Sequence, residues 1–519
     1  MTRRPRRWAL PGAGIPIHPL LIAAVPALFL FAENADQQVT LEPLWGSLLT
    51  CIAIGAGALL AGAVLFRDWQ RGALFASLIL ALFFTFGHAW NLVSDVFDGR
   101  RYLVAAWVAI GLVGTVLIWR GRHVARQANG FLTVMAAILL VINVVRIGDF
   151  ALGATAVRAT AGQGALEAEP SDPLRDVYYV ILDRYASNET LQHIYGYDNS
   201  AFLTALEERG FVIARQSWAN YFKTAFSLVS SLSMTHLDGD ALRDGHPATF
   251  TPVHQAVRDH LLVPQTFKSL GYEYVHIGTA WEPSAENVDA DRIVRFEVGA
   301  AFSSSLWSTT ALMLLSPLGR QSDDAEVLPS WEILRQHTLH NFEALEDAAQ
   351  RPGPTYTFAH FLVPHPPYVF DSDGSTPTGD ESQQRTEDEK YLAQLEWTNS
   401  RVLEALDHLL DAPPGQEPII ILQADEGPWP DRFAEDQVHF DWLDATDAEI
   451  QEKYGILNAL NLPGPEGRSA EVYDSMSPVN EFRIVFNAYF GTDLPLLPDT
   501  VYLSPDYARM YDFIEYTRP

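Results

Sequence analysis

The stretch DVYYVILD, residues 176 to 183, decides the fold: an unbroken apolar run that stops on Asp183. Apolar residues without polar alternation read as a strand buried on both faces, the habit of a parallel sheet. PIIILQADEG, residues 418 to 427, repeats the pattern and carries Asp425 and Glu426 at its end. Ligands of open α/β sheets gather at the carboxyl ends of such strands. Two acidic strand ends, with NYFKTAFSLVSSL (220 to 232) and its Thr224 between them in sequence, are therefore expected to build one site.

Outward from these runs the chain alternates strand and helix signals. Asp198, Asn199 and Ser200 offer caps for AFLTALEERG, with Phe202, Leu203 and Leu206 on one face and Gly210 as its stop. YEYVHIG (272 to 278) and YTFAHFLVPH (356 to 365) read as further strands, and Leu392 to Leu410 as an amphipathic helix before the last one. This alternation predicts an α/β domain with a mostly parallel central sheet over 173–519. Its last part, 446–519, is expected to form a packed subdomain, and the acidic stretch 371–390 a mobile surface loop.

The front of the chain is a different material. Residues 1–170 hold 13 Arg and no Lys against 9 acidic residues, a net of +4, which leaves −33 on the remainder. Five apolar stretches, 16–32, 46–66, 72–92, 102–119 and 131–149, approach the ~20 residues that cross a bilayer. Nine arginines flank them on one side, at 3, 4, 6, 7, 67, 71, 120, 122 and 126, against Arg100 and Arg101 on the other. The basic side stays in the cytoplasm, so 1–150 is predicted as a five-helix transmembrane domain with a cytoplasmic amino terminus. A cleaved signal peptide also begins with basic residues and an apolar run. Removing it would invert the four spans that follow. The Ala-, Gly- and Thr-rich 151–172 reads as a linker, and everything after it as an extracytoplasmic domain of a bacterial cytoplasmic-membrane protein.

The single cysteine, Cys51, lies inside the second apolar stretch, which removes disulfide and thiol chemistry from the exported part. A charge of −33 there excludes nucleic acid as a partner, since phosphate backbones demand positive charge.

Asp183 alone is equally a strand-end carboxylate paired with an arginine. Asp425 beside Glu426 at a buried strand end repels itself unless a cation is present, which points to metal. Thr224 precedes Phe226, Leu228, Val229 and Leu232 at helical spacing, so it is placed at a helix amino terminus, where free amides and the dipole favour an alkoxide and an anionic ester. A plain N-cap is the simpler use of a threonine there. In FAHFLVPHPPYVF, His360 lies inside the strand, where a hydrogen-bonded core histidine is equally in view, and His365 sits in a proline-bounded turn suited to a substrate oxygen or leaving group.

Asp at the first strand end, Thr at the head of a later helix, a PHPP turn and a late QADEG strand together resemble the sulfatase and alkaline phosphatase superfamily. The resemblance is to its membrane-anchored branch, which includes lipoteichoic acid synthase and the phosphoethanolamine transferases. It implies Asp183, Thr224 and Asp425 as metal ligands, Thr224 also as nucleophile, and His365 as the substrate-side histidine; His360 stays a second substrate-side candidate from its own position in the strand. Glu426 departs from the pattern, which has His or Asn there; as a fourth ligand it makes an all-oxygen set that favours Mg, Mn or Ca over zinc. SDPLR (171 to 175) matches the formylglycine pattern of common sulfatases but precedes the first strand and cannot reach its far end.

The implied activity is transfer of a phospho-group from a membrane lipid to an envelope glycan or lipid through phosphothreonine, with one divalent ion. Phosphoester or sulfate ester hydrolysis is the alternative. A silent relative that binds or organises envelope glycans is the rival outside catalysis, and a salt bridge from Arg184 or Lys223 filling the site is its mark.

Overall fold

The computed structural model describes residues 16–34, 41–93, 100–121, 124–157, 164–169, 173–243, 248–294, 296, 301–314, 330–377, 384–468 and 470–518. The chain divides into two units, Met1–Leu152 with Glu297–Val327, and Gly153–Phe296 with Leu328–Pro519.

All five apolar stretches are helical in the first unit: α1 (His18–Glu33), α2 (Glu42–Phe66), α3 (Trp69–Val93), α4 (Arg100–Arg120) and α5 (Ala125–Val157). Four spans, in α2 to α5, are long and apolar enough to cross a membrane by length and composition; α1, at 16 residues, is shorter. One buried polar knot ties three of the helices. His18 of α1 meets Ser77 Oγ of α3 at 2.7 Å and Asn129 Oδ1 of α5 at 2.8 Å, and Asn129 Nδ2 donates to Gln70 O at 2.9 Å. Polar groups placed among apolar helices satisfy one another in this way because no water is available to them.

The second unit is built on a seven-stranded sheet: β1 (Val177–Leu182), β2 (Phe211–Ile213), β3 (Glu273–Ile277), β4 (Arg292–Val294), β5 (Thr355–Phe361), β6 (Ile419–Gln423) and β7 (Asn458–Asn461), in the order β2-β7-β6-β1-β5-β3-β4. β1 is central and pairs in parallel with both β5 and β6; only β7 runs antiparallel to its neighbours. The apolar runs at β1, β5 and β6 are buried along their whole length, as strands covered on both faces must be. A separate ribbon, β8 (Val501–Leu503) with β9 (Ile514–Tyr516), follows. Residues after 446 also feed β7 into the central sheet, between β2 and β6.

The stretch read as a linker is ordered at both ends. α5 continues to Val157, and Leu166 and Glu169 donate backbone hydrogen bonds to Thr266 Oγ1 and Phe490 O in the α/β unit. Residues 158–163 and 170–172, which include most of SDPLR's start, lie outside the described residues. Residues 378–383 of the acidic stretch 371–390 do so as well.

Candidate metal and phosphoryl site

Register brings the acidic ends together. Leu182 pairs with Phe361 on β5, and Ile181 with Gln423 on β6, so Asp183 and Asp425, each two residues on from that second pair, leave neighbouring strands at one level. His360 pairs with Ile181, within β5 on the other flank of β1. One ligand atom from each of Asp183, His360 and Asp425 lies within 4.8 Å of the other two. All three residues are buried. Asp183 Oδ1, Asp425 Oδ2 and His360 Nε2 have no hydrogen-bond partner among the described residues. Unpaired donor atoms buried together are costly, and a cation removes the cost for all three at once.

Electrostatics give the same message. Burial, and then the neighbouring charge of Asp425, push the Asp183 carboxyl well above the usual range. Burial and the Glu426 charge push Asp425 up to about 7, while a hydrogen bond with Thr224 works the other way. Burial and the nearby His276 bring His360 down to about 3, so its imidazole is neutral and able to ligate. Ser284 Oγ lies 2.9 Å from His360 Nδ1, which leaves Nε2 for the carboxylates. The loss of this support in Ser284→Ala is expected to weaken metal binding ~10–100-fold, as partners behind ligating histidines typically do. Metal titration of the purified variant checks this, and unchanged affinity would show that Ser284 does not orient the ring.

Thr224 opens the helix Thr224–Ser233, after Lys223 in extended conformation. No side chain caps that end, so its first amides remain available to an anion. The apolar residues that predicted the helix, Phe226, Leu228, Val229 and Leu232, are all buried in the core of this unit.

Glu426 is outside the trio's 4.8 Å grouping, although its Oε2 is also buried without a hydrogen-bond partner among the described residues. Its Oε1 is 2.8 Å from Lys453 Nζ and 3.4 Å from Arg184 Nε, and accepts from Trp429 Nε1 at 3.3 Å. Burial works to raise the Glu426 carboxyl, but Lys453, Lys223 and Arg184 outweigh it and hold it low. Arg184 takes a left-handed φ of 63° and lies over the Trp429 ring at 3.3 Å. Such a backbone costs of order 1–3 kcal/mol in a non-glycine residue and persists because the surrounding contacts fix it. Gly427 lets the strand exit pass the helix Asp447–Tyr454: a Cβ there would sit 2.2 Å from Glu452 O. Arg184 thus forms the salt bridge named above as a mark of the rival, but with Glu426, and Asp183 and Asp425 keep their free oxygens. Glu426→Gln removes the carboxylate paired with the buried Arg184 and Lys453 and is expected to destabilise the fold by ~3–5 kcal/mol. Denaturant unfolding reads this, and a loss below about 1 kcal/mol would contradict the counter-ion role.

Lys223 Nζ has one weak acceptor, Gln437 Oε1 at 3.4 Å, and lies over Trp429, Phe433 and Tyr507 at 4.4, 5.0 and 5.6 Å. His365 stands at the rim, its ring 6.0 Å from Trp429 and its Nδ1 against Pro366 O. Burial chiefly, and then Arg184, hold it well below the ordinary histidine range, so it is neutral.

His360 Nε2 lies beside oxygens of Asp183 and Asp425, a placement set by a strand register that periodicity does not reveal. A donor set drawn from these three would mix nitrogen and oxygen. Lys453, Ser284 and Trp429 were missed. The one available signal was scarcity: the chain has four lysines, and Lys223 and Lys453 both lie here.

No family model matches the chain, and no curated protein matches it. Among solved structures it is similar to the integral membrane lipooligosaccharide phosphoethanolamine transferase A from Neisseria meningitidis, at 12% identity over 90% of this chain and 95% of that one, with a TM-score of 0.39. The C-terminal periplasmic domain of EcEptC from Escherichia coli, in complex with Zn, is similar at 13% identity over 68% and 93%, with a TM-score of 0.40. An alkaline phosphatase superfamily protein from Vibrio parahaemolyticus is similar at 12% identity over 67% and 80%, with a TM-score of 0.39. The chain thus carries a set of apolar helices and an α/β unit with a mostly parallel sheet.

Proposed function

We propose that this protein is a membrane-anchored, metal-dependent enzyme that moves a phospho-group from a lipid donor to an envelope glycan or lipid, with Thr224 as nucleophile. The observation that carries the reading is the convergence of three unpartnered buried donor atoms, on Asp183, His360 and Asp425, with a threonine hydroxyl at a helix amino terminus. Asp183, His360, Asp425 and Thr224 would hold one divalent ion. An imidazole beside carboxylates suits zinc or manganese better than calcium or magnesium. Such an ion lowers the pKa of a bound hydroxyl and neutralises charge on a phosphoryl oxygen.

The chain's own residues do the rest. Thr224 Oγ1 forms a bond to phosphorus as the bond to the donor's leaving oxygen breaks; the hydroxyl proton is released to solvent and the leaving oxygen takes one up. An acceptor hydroxyl then displaces Thr224 from phosphorus, losing its proton, and Thr224 is restored as a hydroxyl. Helix amides after Thr224 and the Lys223 side chain meet the anionic oxygens. His365, neutral and at the rim, is the group placed to hold the leaving or accepting oxygen. With water as acceptor the same steps give hydrolysis.

The Arg184–Glu426 pair favours a second reading, a silent relative that binds envelope glycan. The two part when chelator-treated full-length protein is reloaded with zinc or manganese and given a fluorescent phospholipid donor. One bound ion per chain with turnover restored supports the enzyme. Turnover that persists without an ion contradicts it, and one bound ion with no turnover on any donor supports the silent relative.

A further inference from the structure

The α/β part of the chain carries −33, yet Val298 to Gly319, between Glu297 and Arg320, contains no charged residue. The stretch Glu297–Val327 belongs to the helical unit. Its described part is a short helix, Ala301–Ser308, and a tight turn, Ala311–Leu314. Neither is long enough to cross a bilayer, and short apolar elements of this kind are interfacial or re-entrant.

We infer that residues 301–314 are a foot set into one face of the membrane, with the headgroup and upper acyl region of lipids as its partner. Leu306 is 2% exposed and packs in one cluster with Phe31, Leu44, Phe84 and Ile147. The cluster also takes in Ala23, Ala27, Cys51 and Leu80 deeper in α1, α2 and α3, while Phe31 at the end of α1 and Leu44 at the start of α2 mark its rim. At that rim Gly87 N–H donates to Thr309 O at 2.8 Å, and Arg100 Nη2, at the start of α4, donates to Met313 O at 2.5 Å. Gly87 is required for the approach: a Cβ would stand 2.5 Å from the Thr309 backbone. Thr309 and Thr310 hydroxyls donate back to Leu306 O and Trp307 O, which keeps polar atoms satisfied without water. Seated on this rim, Leu312 and Leu314 remain 39% and 40% exposed. Adjoining α4 has no buried residue, so the same side of the unit is open to lipid along its length. Exposed leucines continuous with a lipid-facing helix fit lipid as the occupant, and this holds whatever chemistry the α/β unit performs.

The test uses the full chain in lipid nanodiscs, with Cys51 replaced by alanine and a bimane probe at Leu312→Cys. Quenching by shallow and deep doxyl lipids is compared with probes at Leu112→Cys, an exposed position on α4, and Glu208→Cys, an exposed position on the α/β unit. Quenching at 312 several-fold above that at 208, and stronger with shallow than with deep doxyl groups, is expected. Quenching no greater than at 208, or cross-linking between copies through 312 without lipid quenching, overturns the inference. Gly87→Val should lower quenching at 312; unchanged quenching in a monodisperse variant overturns the seat at Gly87. Where that variant does not fold, the Leu312 measurement decides alone.

Discussion

Replacing Thr224 with alanine is expected to lower turnover by ~10³-fold or more, the scale seen when a covalent nucleophile is removed. The loss follows from position. Thr224 faces Asp425 and begins a helix whose N-cap, Lys223, makes no side-chain cap hydrogen bond. Alanine is at least as good a helix former, so circular dichroism and the unfolding midpoint should scarcely move. Thr224→Ser should recover part of the rate, because it keeps the oxygen and loses a methyl. If Thr224→Ala turns over normally, the nucleophile is elsewhere.

Removing a ligand of the trio should cost the ion as well as the rate. Asp425→Asn keeps the shape and one oxygen but removes the charge, and His360→Gln removes the imidazole nitrogen while preserving a polar group near Ser284. Both are expected to leave the purified protein with a small fraction of the wild-type metal content, and with turnover lowered to the level of Thr224→Ala. Elemental analysis after dialysis reads the first and the lipid-donor assay the second. The informative comparison is with Glu426→Gln, which should keep its ion and lose stability. An outcome in which Glu426→Gln loses the ion and His360→Gln keeps it would return Glu426 to the ligand set.

The strand ends before Asp183 and Asp425 and the helix start at Thr224 are legible in the sequence. Asp183, Asp425 and Thr224 announce themselves because each sits where an unbroken apolar run ends or begins, and buried parallel strands write such runs plainly. His360 does not, because a histidine inside a buried strand has the same sequence surroundings whether it is a core residue or a ligand. Only the pairing of β5 with β1 places it next to Asp183. Lys453 reaches Glu426 from the end of a later helix, and Ser284 reaches His360 from a short turn, and neither contact leaves a period in the sequence. β2, β4 and β7 have three or four residues each, too few to show alternation, and the Asn residues at both ends of β7 hide it further. The uncharged run 298–319 is hard to read for a similar reason: its serines and threonines dilute the apolar signal.

The covalent intermediate is tested most directly by mass spectrometry of the full-length protein, loaded with zinc or manganese and incubated with candidate phospholipids in the absence of an acceptor. A peptide carrying a phospho-group on Thr224, absent from Thr224→Ala and lost when acceptor is added, is the predicted result. Turnover of the same lipid with Thr224 unmodified, or with the group on another residue, would contradict it.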